Sequence, residues 1–189
     1  KTEIKILLDL PSSAERAAKT KAKFVGLTRI EGIIAESGMH PDYFLKNGKI
    51  KDYEDIIFKG LNEIASYFEG VWVRSSDVRS DEYKELKGAP KEVEENPMLG
   101  MHGIRFGLKE PEILKAEIRA MERVSQNGKK VGLLIPQVIS TDEVKRVKEI
   151  LKELNKDKET KGLKEILDIL KESKRKILNI QYKINIKKN

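Results

Sequence analysis

Four short apolar runs, each followed by a stretch of helical spacing or of turn residues, constrain this chain more than any other feature of it. Ile4-Lys5-Ile6-Leu7-Leu8, Phe24-Val25-Gly26-Leu27-Thr28, Val71-Trp72-Val73 and Val131-Gly132-Leu133-Leu134-Ile135 have the length of strands and are nearly continuous in apolar character. Strands buried on both faces read this way, whereas half-exposed strands alternate. Ser12-Ser13-Ala14-Glu15 and Ser140-Thr141-Asp142-Glu143 have the spacing of capping boxes. The first predicts a helix from about Ser13 to Thr20, the second a helix with Val144, Val147, Ile150, Leu151 and Leu154 inward. Ile56, Ile57, Leu61, Ile64, Ala65 and Phe68 recur at helical spacing up to a stop at Gly70. Pro111 opens another helix, with Leu114, Ile118, Met121 and Val124 on its apolar face and Gly128 after it. The segment through Gly38, Pro41 and Gly48, and the long polar stretch from Ser75 to Glu110, read as loops.

Strand and helix therefore alternate, and parallel neighbours require such crossovers. A (βα)8 barrel and a doubly wound sheet are the candidate folds. Asp9-Leu10-Pro11-Ser12 after the first strand offers no glycine for a nucleotide phosphate, and no P-loop is present, which favours the barrel. The 189 residues, 39% of them hydrophobic, suffice for one core. No apolar run approaches the ~20 residues of a membrane span, and no signal peptide is visible, so a cytoplasmic protein is expected. Without cysteine there is no disulfide, thiolate nucleophile or cysteine zinc site.

The net charge of +7 suggests nucleic acid until it is located. Residues 156–189 hold 11 basic and 5 acidic residues, a net of +6, which leaves +1 for residues 1–155. The body lacks the basic groove with stacking aromatics that nucleic acid needs, so nucleic acid is not an expected partner.

Arg29 directly follows the second strand and Arg74 the third, at the strand ends where barrels bind their ligands. Two guanidiniums from neighbouring strands can grip a phosphate or carboxylate. The plainer alternative is that each pairs with a nearby carboxylate such as Glu31 or Asp77. Asp77, Asp81 and Glu82 are close enough for a metal site, although solvent-facing carboxylates are the ordinary reading in so charged a chain. Asn96-Pro97-Met98-Leu99-Gly100 and His102-Gly103-Ile104-Arg105 form a loop rich in Gly, Pro and apolar residues. Its composition implies an ordered backbone and makes Arg105 a third candidate anion ligand. His40, before a proline, reads as a turn residue. No Ser-His-Asp spacing or zinc-binding histidine pair is present.

Val25-Gly26-Leu27-Thr28-Arg29-Ile30-Glu31, Gly38-Met39-His40-Pro41, Val71-Trp72-Val73-Arg74-Ser75-Ser76-Asp77, Asp81-Glu82 and Asn96-Pro97-Met98-Leu99-Gly100 closely resemble the phosphoenolpyruvate synthase family of phosphoenolpyruvate (PEP)-utilising enzymes. The order and spacing hold through Pro111-Glu112-Ile113-Leu114-Lys115-Ala116-Glu117, over about residues 3–154. The resemblance implies an incomplete (β/α)8 TIM-barrel-like fold, with residues 1–154 supplying half of a barrel that binds PEP or pyruvate with magnesium. Arg29 and Arg74 would hold the phosphate, Arg105 would lie near the same anion, and Glu31, Asp77, Asn96 and His102 would support them.

Departures from the family pattern are plain. Met101-His102 stands where the family has tryptophan and arginine, and Gly32 stands where it has histidine. The family's magnesium ligands, its cysteine, and its phosphohistidine and ATP domains have no counterpart in this sequence, so no metal site and no catalytic residue are expected in the chain alone. Residues 155–189 are expected to form a basic tail with a helix over Leu163, Ile166, Leu167 and Leu170 and a strand over Ile180, Tyr182, Ile184 and Ile186. Half a barrel leaves an edge and a face uncovered, so a homo-oligomer or the enzyme's missing domains are expected partners. The alternative is a non-catalytic relative that binds a small anion or serves in assembly.

Overall fold

Four parallel strands pair in sequence order: β1 (Ile6–Leu7), β2 (Phe24–Arg29), β3 (Gly70–Arg74) and β4 (Lys130–Leu134). This computed structural model describes residues 2–92 and 94–156; the helix and strand expected over Leu163–Leu170 and Ile180–Ile186 lie outside the described residues. The crossovers contain α1 (Ala14–Ala18), α2 (Glu31–Glu36), α3 (Pro41–Lys46), α4 (Ile50–Ser66), α5 (Ile104–Lys109) and α6 (Pro111–Gln126), and α7 (Thr141–Lys156) follows β4. An open parallel sheet with covering helices is the architecture of a partial TIM-barrel-like fold.

The two longest crossover helices, α4 and α6, pack on each other, and their apolar stripes share one core with the sheet. Ile57, Leu61 and Ile64 from α4, Ile118, Met121 and Val124 from α6, and Val25, Val71, Val73 and Val131 from the strands are all buried. Area of this kind is what stabilises the fold, at about 25 cal/mol for each Å² removed from water. The other face of the sheet is differently made. Trp72 lies edge-on to Phe24 and covers Gly132, whose absent Cβ would sit 2.8 Å from the indole Nε1. The Lys5 ammonium stands 3.9 Å over the indole. Leu7 and Leu134 are exposed, so among the described residues no helix covers this face.

Register between β2 and β3 contains an irregularity with consequences at the strand ends. Val25 pairs with Val71 but Thr28 pairs with Val73, so β2 takes three steps against two on β3. A bulge of this kind shifts every later pairing by one residue. Val25 and Thr28 consequently both face the core, and Arg29 falls opposite Arg74.

Of the two capping boxes, one forms. The Ser140 box forms: Ser140 Oγ accepts from the Glu143 amide at 3.3 Å, and Glu143 Oε2 accepts from the amides of Ile139 and Ser140. The Ser12 box does not form, because Pro11 opens a single 3-10 turn and Ser13 makes no side-chain cap. Gly70 is not a helix stop. It starts β3, where a Cβ would lie 2.5 Å from the Lys130 carbonyl oxygen and prevent the strands from meeting. Helices α2, α3 and α5 occupy segments expected as loops, each being only six residues long and too short to show a periodicity. His40 caps α3, its Nδ1 accepting from the Asp42 amide at 3.2 Å.

Candidate functional site

The C-terminal ends of β2 and β3 place Arg29 and Arg74 side by side as register partners, with strands about 5 Å apart laterally. Each guanidinium already has a carboxylate. Arg29 donates from Nε to Asp9 at 2.8 Å and also ion-pairs with it through its terminal nitrogen, while Asp9 Oδ1 accepts the Arg29 amide. Half of the Arg29 side chain is exposed, so this pair is held weakly. Arg74 is more enclosed. It donates to Glu31 Oε1 at 2.6 Å and stands 3.7 Å from Asp77 Oδ2. The pairing with Glu31 and Asp77 that the sequence left open is therefore realised for Arg74, and Arg29 takes Asp9 instead.

Glu31, the first residue of α2, does more than neutralise Arg74. Its Oε1 also accepts the Asp77 amide at 2.8 Å, which ties the exit of β3 to the start of α2. Burial pushes the Glu31 carboxyl up, against the opposing pull of Arg74. Asp77 in turn is a hub, contacting His102 Nδ1 at 2.6 Å and accepting from Gln137 Nε2 at 3.3 Å. His102 is buried and its Nε2 faces the Met98 carbonyl at 3.0 Å, so it braces Asp77 and the loop before α5 and is closed to a ligand. Gly103 beside it has φ +59°, and a Cβ there would lie 3.0 Å from Asp77 Oδ1.

Three buried polar atoms have no partner among the described residues: Thr28 Oγ1, Glu31 Oε2 and Arg74 Nε. All belong to this end of the sheet. Unsatisfied buried groups are rare, and a cluster of them points to a site where function outweighs local stability.

Arg105 and Asn96 are not drawn in. Arg105 turns back on its own loop, donating from Nε and a terminal nitrogen to the Gly100 carbonyl. Asn96 is exposed at the start of a 3-10 turn, with no side-chain cap.

Two further residues meet the site only through the tertiary structure. Tyr83 is half-buried, and its phenol is pushed up to about 12 by burial first and then by Glu31 and Glu82, with Arg74 and Arg29 acting the other way; it therefore stands in the field of both arginines. Glu117 on α6 is buried behind the site and accepts from the Ser76 amide at 3.1 Å and the Tyr53 hydroxyl at 2.8 Å. Burial raises its carboxyl to about 7. A tyrosine in a polar loop and a glutamate in a charged helix carry no local signal that separates them from their neighbours.

Donors suited to magnesium do not converge. Asp81 and Glu82 ion-pair with Arg79, and Glu31 and Asp77 are engaged as described. Among the described residues no group of three or more acidic or histidine side chains is arranged to hold a metal ion. Among the same residues no helix is long and apolar enough to cross a membrane.

Comparison with known proteins gives the family. A family model described as the PEP-binding domain of PEP-utilising enzymes matches residues 1–170. The probable phosphoenolpyruvate synthase of Pyrococcus horikoshii is 39% identical over 157 residues, covering 81% of this chain and 19% of that protein. That of Archaeoglobus fulgidus is 40% identical over 154 residues, covering 79% and 20%. That of Methanocaldococcus jannaschii is 40% identical over 157 residues, covering 81% and 13%. The chain thus matches about a fifth or less of the length of these relatives.

Proposed function

The chain belongs to the PEP-utilising enzymes, matching the PEP-binding domain of that family, and from this premise we propose that it supplies the phosphate-gripping part of a PEP and pyruvate site. The whole enzyme would be a phosphoenolpyruvate synthase, converting ATP, pyruvate and water into AMP, PEP and phosphate. The observation that carries the reading is the in-register pair Arg29 and Arg74 at the C-terminal strand ends. An arriving phosphate competes with Asp9 for Arg29 at little expense, because that ion pair is half exposed. Arg74 is aimed by Glu31 and keeps an unspent Nε donor.

Phosphoryl transfer asks mainly for cationic donors around the phosphate oxygens, held in place before the reaction. Glu31 and Asp77 do the holding, Gln137 and His102 steady Asp77, and the tyrosine at position 83 lies within the same field. Magnesium, which the family uses, finds no fitting donor set among the described residues. The sheet face bearing Leu7, Trp72 and Leu134 is read as a surface covered by the enzyme's further domains or by a second copy. Calorimetric titration with PEP tests the proposal. Saturable binding that is strongly weakened in Arg74→Ala is expected; absence of binding to the wild-type chain would overturn it.

A further inference from the structure

Glu117 on α6 is a buried carboxylate that the anion site does not use. It projects from the middle of α6 into the core shared with α4, a contact already filled by Ile57, Leu61, Ile118 and Met121. Packing there asks for no charge, and replacing a buried polar group by an apolar one of similar size is often neutral or better. A carboxylate in such a place is costly unless hydrogen-bonded. Its donors are the Tyr53 hydroxyl and the hydroxyl and amide of Ser76, two residues beyond Arg74.

The next amide in the chain, that of Asp77, is held by Glu31. Two carboxylates from two different helices thus grip successive amides of the β3 exit. We propose that Glu117 is a positioning residue for the anion site, fixing from the α6 side the strand exit that carries Arg74 and Asp77. This rests on the anion-binding reading given above. The groups that bear on Glu117 are Tyr53 from α4, Ser76 from the β3 exit and Glu31 from α2, and no cation pairs with it among the described residues. With burial holding the carboxyl near 7 and Glu31 adding to that rise, its charge changes within the physiological range. Ionised, it binds the Ser76 amide by a charge-assisted bond roughly twice as strong as the neutral one. Anion affinity should therefore gain with pH beyond what ionisation of the ligand itself supplies.

Titration of the chain with PEP at pH 6 and pH 8, by calorimetry, tests this with wild type, Glu117→Gln and Tyr53→Phe. Comparison at the same pH cancels the ligand's own ionisation. The Gln variant is expected to bind about tenfold more weakly at pH 8, with the gap closing at pH 6, where the wild-type carboxyl is itself protonated. Tyr53→Phe keeps the carboxylate but removes a donor to it, so the pH at which high affinity sets in should move upward. Equal affinities of Gln variant and wild type at both pH values would overturn the proposal and leave the anion site standing. An equal loss at both would also overturn it, since a merely structural role gives that pattern. Wild type that binds no PEP at either pH overturns the anion site itself, and the proposal with it. Should the Gln variant fail to fold, an unmoved pH profile in Tyr53→Phe decides against the role.

Discussion

Arg29 and Arg74 are register partners at the ends of neighbouring parallel strands, yet each is held by a carboxylate from a different part of the chain. Asp9 follows β1, and Glu31 opens α2. The two arginines are thereby kept apart in charge while close in space, and the strength of each restraint differs. The Asp9 pair is half in solvent, whereas Glu31 is buried and also holds a backbone amide.

That difference makes the two arginine–carboxylate pairs separable by mutation. Arg74→Ala should weaken PEP binding by about 2–3 kcal/mol, the scale of a lost charge-assisted contact. Asp9→Asn should do the reverse, strengthening binding by up to about fivefold, because an exposed ion pair worth under ~1 kcal/mol no longer competes for Arg29. Calorimetry on both variants checks the pair, and a loss of affinity in Asp9→Asn would show that Asp9 orients Arg29 more than it competes for it.

Glu117 should leave a signature in the stability of the chain as well. Its carboxyl titrates near 7 in the folded protein against an ordinary 4.5. Between these values the native state holds more protons than the unfolded chain, so stability falls as pH rises. The contribution is fully present below about 4.5 and is lost once pH passes about 7. It is on the order of 3 kcal/mol, and the raised carboxyl of Glu31 acts in the same direction. Urea unfolding at pH 5 and pH 8 should show this slope in the wild type and much less of it in Glu117→Gln.

Glu54 is the ionic tie between α4 and α6. Its carboxylate is buried and receives Lys51, Arg119 and Arg123 at 2.6–3.0 Å. Burial pushes this carboxyl up, but the hydrogen bonds from Lys51 and Arg119 with their charges outweigh it, and it titrates below the usual range. Glu54→Ala should destabilise the chain by about 2 kcal/mol, less than for a wholly buried network because the arginines keep access to water. A change below about 0.5 kcal/mol in denaturant unfolding, the range of ordinary surface substitutions, would contradict it.

Gly103 links backbone geometry to the site. At φ +59° a side chain is strained, and the Cβ of an alanine would press on Asp77 Oδ1 and on Gln137. Gly103→Ala should destabilise by about 1–2 kcal/mol and also loosen anion binding, because the pressed atoms are those that steady Arg74. Unchanged affinity in a folded variant would separate the loop from the site.

What the sequence determined by itself is the architecture and the first rank of candidates. Continuous apolar strands need helices on them, and strand-terminal arginines can be read from position alone; hence the parallel sheet, the helices α4, α6 and α7, and the motifs shared with the family were all legible. Tertiary structure decided the pairings. Only the extra residue of β2 brings Arg29 opposite Arg74, since without it Thr28 would occupy that place. Such a bulge follows from how two strands meet, and the residues of either strand alone do not encode it. In the same way Asp9 is brought to the end of β2, and Glu117 and Tyr53 to the β3 exit, by contacts spanning 20, 41 and 64 residues of sequence. Arg105 shows the converse: its position in the motif made it a candidate, and a neighbouring carbonyl in its own loop claimed it instead. Local chemistry is written in the order of residues, but a site is made by which groups compete for the same donor once the chain has closed on itself.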